Sequence, residues 1–587
     1  MYLEKINSPQ DVKRLSLEEL NQLSEEARET LLTKLSEHGG HIGPNLGLVE
    51  LTVALHYVFD SPKDKIVYDV SHQSYVHKML TGRKDAFLIP EKYDVVSGYS
   101  NPEESEHDFF NIGHTSTSIS LACGLAKARD LKGDNENIIA LIGDGSLSGG
   151  EAYEGLNNAA EAGTNMIIIV NDNEQSISEN HGGLYKNLAE LRETEGKSEC
   201  NFFKAMGLDY LYVKDGHDIE ALIEAFQSVK DTNRPIVVHV HTIKGKGYKF
   251  AEVNREMYHA GPPFNRETGE YKFSMSDPES YANRTAEYLL DTMKKDPTVA
   301  MITSATAPGF GFVQERRELA GKQYIDVGIA EEHAVALASG MAKNGAKPVY
   351  CVYSTFLQRT YDQLSQDLCI NNNSALLLVF AASVYGMSDV THLGLFDIAM
   401  MGNIPNMVYL APTCKEEYFA MLEWGIHQKD HPVAIRVPSN GMISSGVEDT
   451  TDYSILNKYQ ISKKGKDVAV IALGDFYQLG ESVVEALVKE QGINATLINP
   501  KYITGLDEDV LESLRDEHKL VITLEDGILE GGFGEKIASY YGPSDMKVKN
   551  YGIKKGFPDR YVVEELLKEN GITVEQIVED VTTIVKK

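Results

Sequence analysis

The feature that most constrains this chain is a repeated alternation of short, continuous, β-branched runs with helix-like stretches. Ile138–Ile142 and Met166–Val170 are the clearest pair. Neither run alternates apolar with polar residues, so both read as central strands of a parallel sheet, buried on both faces. Between them, Glu151–Ala162 is rich in Ala, Glu, Leu and Asn and reads as a crossover helix. The unit is therefore β-α-β. Each strand ends in an Asx element, Gly143-Asp144-Gly145 after the first and Asn171-Asp172-Asn173 after the second. In open α/β sheets, ligands bind at that carboxyl edge.

The alternation runs along the whole chain and predicts an α/β fold. Residues 9–37 read as two helices, and a further helix begins near Leu46 after a glycine turn. Ile66–Val70, Ile138–Ile142, Met166–Val170 and Pro235–His241 form a first strand series. A polar stretch with Gly and Pro over about 250–280 reads as a linker. The second series is Val299–Thr303, Tyr324–Val327, Lys347–Val352, Ala375–Phe380, Met407–Leu410 and Val433–Arg436. After a break at about 439–457 come Val468–Leu473, Asn494–Asn499, Leu520–Leu524 and Val548–Tyr551. The expectation is three doubly wound α/β domains, over 1–275, 276–445 and 446–587. A chain of 587 residues suits that number.

The charge excludes some functions. A formal net charge of -31 argues against nucleic acid and anionic membrane surfaces as partners. Five cysteines stand at scattered positions without a CxxC, which suits free thiols in a reducing cytosol. No apolar run of eighteen residues and no leader-like opening is present. A cytoplasmic enzyme is the expectation.

The two Asx elements suggest a diphosphate with its divalent cation. Mg²⁺ takes six oxygen ligands in an octahedron. Asp144 offers a carboxylate, Asn173 a neutral amide oxygen, and the Gln175 carbonyl a third oxygen. A second carboxylate beside a diphosphate would add repulsion, so a neutral Asn is sensible. Gly143 and Gly145 allow close backbone approach. Each element taken alone is equally an ordinary strand-to-helix turn. Their spacing, one β-α-β unit apart, favours the ligand site.

That spacing resembles the thiamin diphosphate motif. "SEHGGHIGPNLGLVELTVALHYVF", "YDVSHQSYVHKMLTGR", "NIGHTSTSISLACGLA", "NDNEQSIS", "DGHD", "TIKGKGY", "DVGIAEEHAVALASGMA" and "VYSTFLQRTYDQLSQD" resemble the 1-deoxy-D-xylulose-5-phosphate synthase family, a branch of the transketolase superfamily. The resemblance covers nearly the whole chain. It implies three domains of transketolase type, binding diphosphate, binding pyrimidine, and C-terminal. It also implies thiamin diphosphate and Mg²⁺ as cofactors, a homodimer, and a reaction that decarboxylates pyruvate and joins the remainder to D-glyceraldehyde 3-phosphate.

The resemblance assigns roles residue by residue. Glu331 in "IAEEHA" matches the acid that activates the cofactor's aminopyrimidine. The local pattern alone leaves Glu331 and a helix-start surface Glu equally open, with Glu332 beside it. His41, His72, His114 and His259 match positions that handle donor and proton transfer, where imidazoles suit the task. Gly143, Asp144, Gly145, Ser146, Asn173, Lys244, Phe356 and Arg359 join His72, His114 and Glu331 as cofactor contacts. Tyr353, Arg359, His392 and His41 match substrate positions, and His392 is also placed in the catalytic set. His77, His107 and His181 read as structural or surface residues.

Two departures stand out. The family's stretch "FAIDRAGLVGADGPTH" is here "FAASVYGMSDVTH", and its "RYPRG" is here "RVPSNG". Arg436 remains, but Ser439 stands where the second arginine would be. In the family, the two missing arginines hold the acceptor phosphate, each charge-assisted contact contributing roughly 1.5–3 kcal/mol. The segment after "NDNEQSISENHGG" is also short, so any cover over the site is built differently. These departures keep two rivals open. One is a carboligase or ketol-transferring enzyme on the same scaffold whose acceptor is unphosphorylated or larger. The other is a catalytically weak paralogue kept for regulation or binding.

Overall fold

Five strands of the N-terminal part of the chain, Lys65–Tyr68 (β1), Ile138–Gly143 (β2), Ile167–Asp172 (β3), Asp209–Val213 (β4) and Ile236–His241 (β5), form one sheet. Its order is β1-β2-β3-β5-β4 with every pair parallel. Helices cover both faces. Ser118–Lys132 and Gly150–Glu161 bury Ile119, Ala126 and Leu156 against Ile138, Ala140 and Ile168. Val49–Val58 and Ile219–Val229 bury Leu51, Leu55 and Phe226 against Ile139, Leu141 and Ile169. Double coverage is why β2 and β3 are continuous apolar runs.

The computed structural model describes residues 1–273 and 277–586. It contains two compact units, Met1–Met275 with Gly328–Ala330, and Ser276–Val327 with Glu331–Lys587. Much of the stretch expected as a linker is structured. Lys249–Val253 is helical, and Ala260–Gly261 pairs antiparallel with Gly40–His41. Tyr258 and Phe264 are 1% exposed and pack in the core of the N-terminal helices. Two anchoring aromatics thus tie this polar stretch down, a signal that periodicity does not carry. Residues 274–276, within the same expected linker, lie outside the described residues.

The second unit holds two sheets. Val299–Thr303 (β6), Tyr324–Asp326 (β7), Lys347–Tyr353 (β8), Leu376–Phe380 (β9), Val408–Leu410 (β10) and Val433–Arg436 (β11) form the order β10-β11-β9-β8-β6-β7, all parallel. Gln460–Lys463 (β12), Asp467–Ala472 (β13), Thr496–Asn499 (β14), His518–Ile528 (β15) and Lys547–Ile553 (β16) form the order β12-β14-β13-β15-β16. Only β12 runs antiparallel to its neighbour. The two sheets share a core in which Ile398, Met401 and Tyr409 pack with Ile503, Phe533 and Ile537. Among the described residues, no helix is long and apolar enough to cross a membrane.

Candidate active site

The registers of β2 and β3 bring the two Asx elements side by side. Gly143 pairs with Asn171, and the Asp144 N–H donates to the Asn171 carbonyl at 3.0 Å. Strand alternation then sorts the side chains of Asn171-Asp172-Asn173 onto two faces. Asp172 is fully buried against Arg192 (2.5 Å) and His239 (2.8 Å). Burial works to raise its carboxyl, but the hydrogen bonds from His239 and Arg192 hold it below its ordinary value.

Asp144 behaves oppositely. It is 1% exposed. Burial, and then the charge of Asp172, hold its carboxyl well above the carboxylate range. Its Oδ2 accepts from Asn180 Nδ2 at 2.7 Å. A carboxylate held this way gains from a cation. Asn173 Oδ1 accepts from the Gln175 N–H at 3.2 Å, and Gln175 bridges to Glu179 in the tight turn that follows. Among the described residues, no group of three His, Cys, Asp or Glu is arranged to hold a metal. The expected ligand set contains one carboxylate, one amide and one carbonyl, so it is of a different kind.

The glycines have a steric reason. A Cβ at Gly145 would lie 2.6 Å from Ser176 Cβ, where the turn after Asn173 packs against it. Ser146 is buried, and its carbonyl accepts from Ser116 Oγ at 2.7 Å. Ser116 belongs to the turn that carries His114 into the helix Ser118–Lys132. Asp69, just beyond β1, fixes that turn by accepting from the Ser116 and Ser118 N–H groups, both at 2.9 Å.

Three of the four expected histidines meet. The His41 and His72 rings lie 5.1 Å apart, His72 and His259 5.2 Å, and His41 and His259 6.2 Å. Pairing of Gly40–His41 with Ala260–Gly261 sets His41 opposite Ala260, next to His259. Lys244 Nζ lies 3.0 Å from His259 Nδ1 and donates to the Ser176 carbonyl at 2.5 Å. Burial brings the Lys244 amine down to about 7, against the pull of Asp144. Packing, and then the Lys244 charge, hold His259 well below the imidazole range.

His77 sits apart in a buried network, with His56 and Asp108 each 2.9 Å from its ring nitrogens. His107 bonds Ser61 Oγ at 2.8 Å.

The second unit carries the remaining residues. Glu331 opens the helix Glu331–Lys343 and is 4% exposed. Burial pushes its carboxyl up to about 7, while Arg359 opposes the rise and half-buried Glu332 adds to it. Its Oε2 is buried with no hydrogen-bond partner. Beyond the end of β8, the Tyr353, Phe356 and His392 rings form a chain, with centroids 6.0 Å and 5.7 Å apart. Thr391 Oγ1 lies 2.8 Å from His392 Nδ1.

The residues fit the implied cofactor by these features. A buried acid whose charge is disfavoured and a glycine-lined strand edge suit a diphosphate with its metal. A buried carboxyl raised to about 7, one oxygen of which accepts no hydrogen bond, suits a pyrimidine nitrogen.

The family model described as 1-deoxy-D-xylulose-5-phosphate synthase matches residues 3–200 and 195–242. The transketolase pyrimidine binding domain model matches 279–442, and the transketolase C-terminal domain model matches 457–577. The 1-deoxy-D-xylulose-5-phosphate synthase of Clostridium beijerinckii is 39% identical over 615 residues, covering 98% of each chain. That of Caldanaerobacter subterraneus is 39% identical over 619 residues, covering 99% of this chain and 98% of its own. The chain belongs to the 1-deoxy-D-xylulose-5-phosphate synthase family. A solved transketolase from Pichia stipitis aligns over 97% of this chain and 98% of its own at 16% identity, with a TM-score of 0.45. As a member of this family, the chain is a thiamin diphosphate-dependent transferase.

Several supporting residues escape a reading of the family motifs. Asp69, Asn180, Arg192 and His239 position the site. Asp69 lies inside the strand-like run Ile66–Val70 and carries no separate signal. The others act through contacts distant in sequence.

Proposed function

We propose that this enzyme condenses pyruvate with D-glyceraldehyde 3-phosphate, giving 1-deoxy-D-xylulose 5-phosphate and CO₂. The pyruvate C1–C2 bond breaks, C2 bonds to the aldehyde carbon, and one proton is taken up. Glu331 carries this reading. It is a buried acid at about 7 with an unpartnered oxygen, at the position where the family activates its cofactor. Thiamin diphosphate, when bound, supplies the carbanion chemistry that makes this bond exchange possible.

This chain's residues have distinct tasks. Asp144, Asn173 and the Gln175 carbonyl would hold Mg²⁺, and Lys244 would place a cation for phosphate. Gly143, Gly145 and Ser146 let the backbone approach the diphosphate. Glu331 would hold the aminopyrimidine of the cofactor through its protonatable carboxyl, while Arg359 steadies the charge of that carboxyl. His41, His72, His114 and His259 position the donor carboxylate and move protons, and burial keeps the His259 ring neutral. Tyr353, Arg359 and His392 face the aldehyde, and Phe356 faces the cofactor.

Residues 1–275 form the diphosphate-binding domain, 276–445 the pyrimidine-binding domain and 446–587 the C-terminal domain. The enzyme works as a cytoplasmic homodimer, and its five free cysteines accord with a reducing compartment. The test is CO₂ release and product mass with thiamin diphosphate, Mg²⁺ and pyruvate, with and without D-glyceraldehyde 3-phosphate. Aldehyde-dependent formation of the 1-deoxyketose phosphate is expected. CO₂ release without any ketose product would refute the condensation.

A further inference from the structure

The second unit contains a cavity of about 380 Å³ lined by Tyr281, Phe380, Tyr385 and Ser439, with Asp277 and Ser280 at its edge. It sits at the carboxyl edge of the six-stranded sheet. Tyr353 ends β8 and pairs in register with Phe380, which ends β9. Arg436 ends β11 beside Val379, and Val437 to Ser439 continue from it into the cavity wall. The Phe310 ring links the two places, 4.8 Å from Phe380 and 4.9 Å from Tyr353. The cavity therefore lies one ring away from the aldehyde-facing residues.

Its lining lacks what a phosphate needs. No lysine, arginine or histidine is among the described lining residues. Arg436 is turned away, with its guanidinium bonded to Asp397 (2.7 Å) and Asp526 (2.6 Å). Four nearby backbone N–H groups are also committed. Ser383 donates to the Gly394 carbonyl, and Gly386 donates to the Ser383 carbonyl. Tyr385 donates to Ser383 Oγ, and Ser439 donates to Asp475 Oδ2 at 3.0 Å.

Other groups on the cavity suit a hydroxyl. The Tyr281 side chain is 6% exposed and its OH is buried with no partner. Burial, and then the charge of Asp475, keep that phenol protonated and a donor. Asp475 is buried behind Ser439, with its carboxyl raised by burial and then by Asp526. An alcohol can accept from the Tyr281 hydroxyl without any counter-charge.

We infer that this cavity receives the hydroxylated far end of the aldehyde, so that the enzyme uses unphosphorylated hydroxyaldehydes about as well as their phosphates. This inference rests on the condensation proposed above.

The test compares D-glyceraldehyde with D-glyceraldehyde 3-phosphate on the holoenzyme, with pyruvate saturating. The expected kcat/KM values agree within about tenfold. A preference for the phosphate above about 100-fold would overturn the inference and leave the condensation standing. Ketose product from neither aldehyde would overturn both. Ser439→Arg supplies the missing fork, and it is expected to raise the preference for the phosphorylated aldehyde at least tenfold. An unchanged preference in a folded Ser439→Arg protein would place the acceptor's far end elsewhere and overturn the inference.

Discussion

Glu331 Oε2 and Arg359 Nη1 stand 3.8 Å apart, too far for a hydrogen bond, in a pocket where the carboxyl is 4% exposed. The guanidinium tempers the acid without quenching it, so the group holds a proton near neutrality. Glu331→Gln is expected to lower kcat/KM by about 10²–10⁴-fold, the usual contribution of a positioned acid or base. Its stability should change with pH in a defined direction. The folded carboxyl binds its proton more tightly than the unfolded one. That stabilisation is whole below the unfolded value near 4.5 and is lost as pH rises through about 7. The span corresponds to about 3 kcal/mol. Denaturant melts of apo protein at pH 5 and pH 8 should show Glu331→Gln gaining on the wild type at the higher pH. Parallel curves at both pH values would sink this account.

Asp144 is held with its charge disfavoured by burial and by Asp172. In apo protein, Asp144→Asn relieves that tension and should leave the melting temperature equal or higher. With Mg²⁺ and thiamin diphosphate, the wild type should gain stability by mass action and the variant should gain little. Differential scanning fluorimetry reads both effects in one experiment. A ligand-induced shift in Asp144→Asn as large as in the wild type would remove Asp144 from the metal site.

Much of the first sheet is legible in the chain because β2 and β3 are buried on both faces and must be apolar throughout. The edge strands β4 and β12 escape detection for the opposite reason. Asp209–Val213 is mostly half-buried, and Gln460–Lys463 is exposed along its length, so neither carries a continuous apolar run. The site divides the same way. Asp144 and Asn173 stand in elements one β-α-β unit apart, while Glu331 stands out only through the family resemblance. Asp172 reads as part of the same motif, yet its side chain serves His239 and Arg192, which lie 67 and 20 residues away. Contacts of that range depend on strand order, which periodicity does not give. The Tyr258 and Phe264 anchors, hidden in a polar stretch, are invisible for a similar reason.

Gly145 is fixed by contact rather than by backbone angle. A methyl group there would press on Ser176 Cβ at 2.6 Å and Ser176 Cα at 3.1 Å. The turn that follows Asn173 would have to retreat, and with it the Ser176 carbonyl that receives Lys244. Gly145→Ala is expected to cost about 1–3 kcal/mol of stability, as overpacking does. Isothermal titration should also show cofactor affinity falling about tenfold or more. Wild-type affinity in Gly145→Ala would mean that the turn yields without disturbing the site.

Arg436 joins the active-site edge to the shared core of the second unit. It is 4% exposed and bonded to Asp397 and Asp526, and Asp397 also accepts from Tyr409 OH at 2.6 Å. Arg436→Met leaves two buried carboxylates without their cation, which typically costs about 3–5 kcal/mol. Arg436→Lys keeps a charge but lacks the planar fork, so it should recover less than half of that loss. Because Val437 to Ser439 continue from this residue into the cavity wall, KM for the aldehyde should rise in both variants more than KM for pyruvate. Calorimetry and steady-state kinetics on the two proteins separate the effects. Equal rises in both KM values would mean that Arg436 supports the fold alone and does not position the acceptor end of the site.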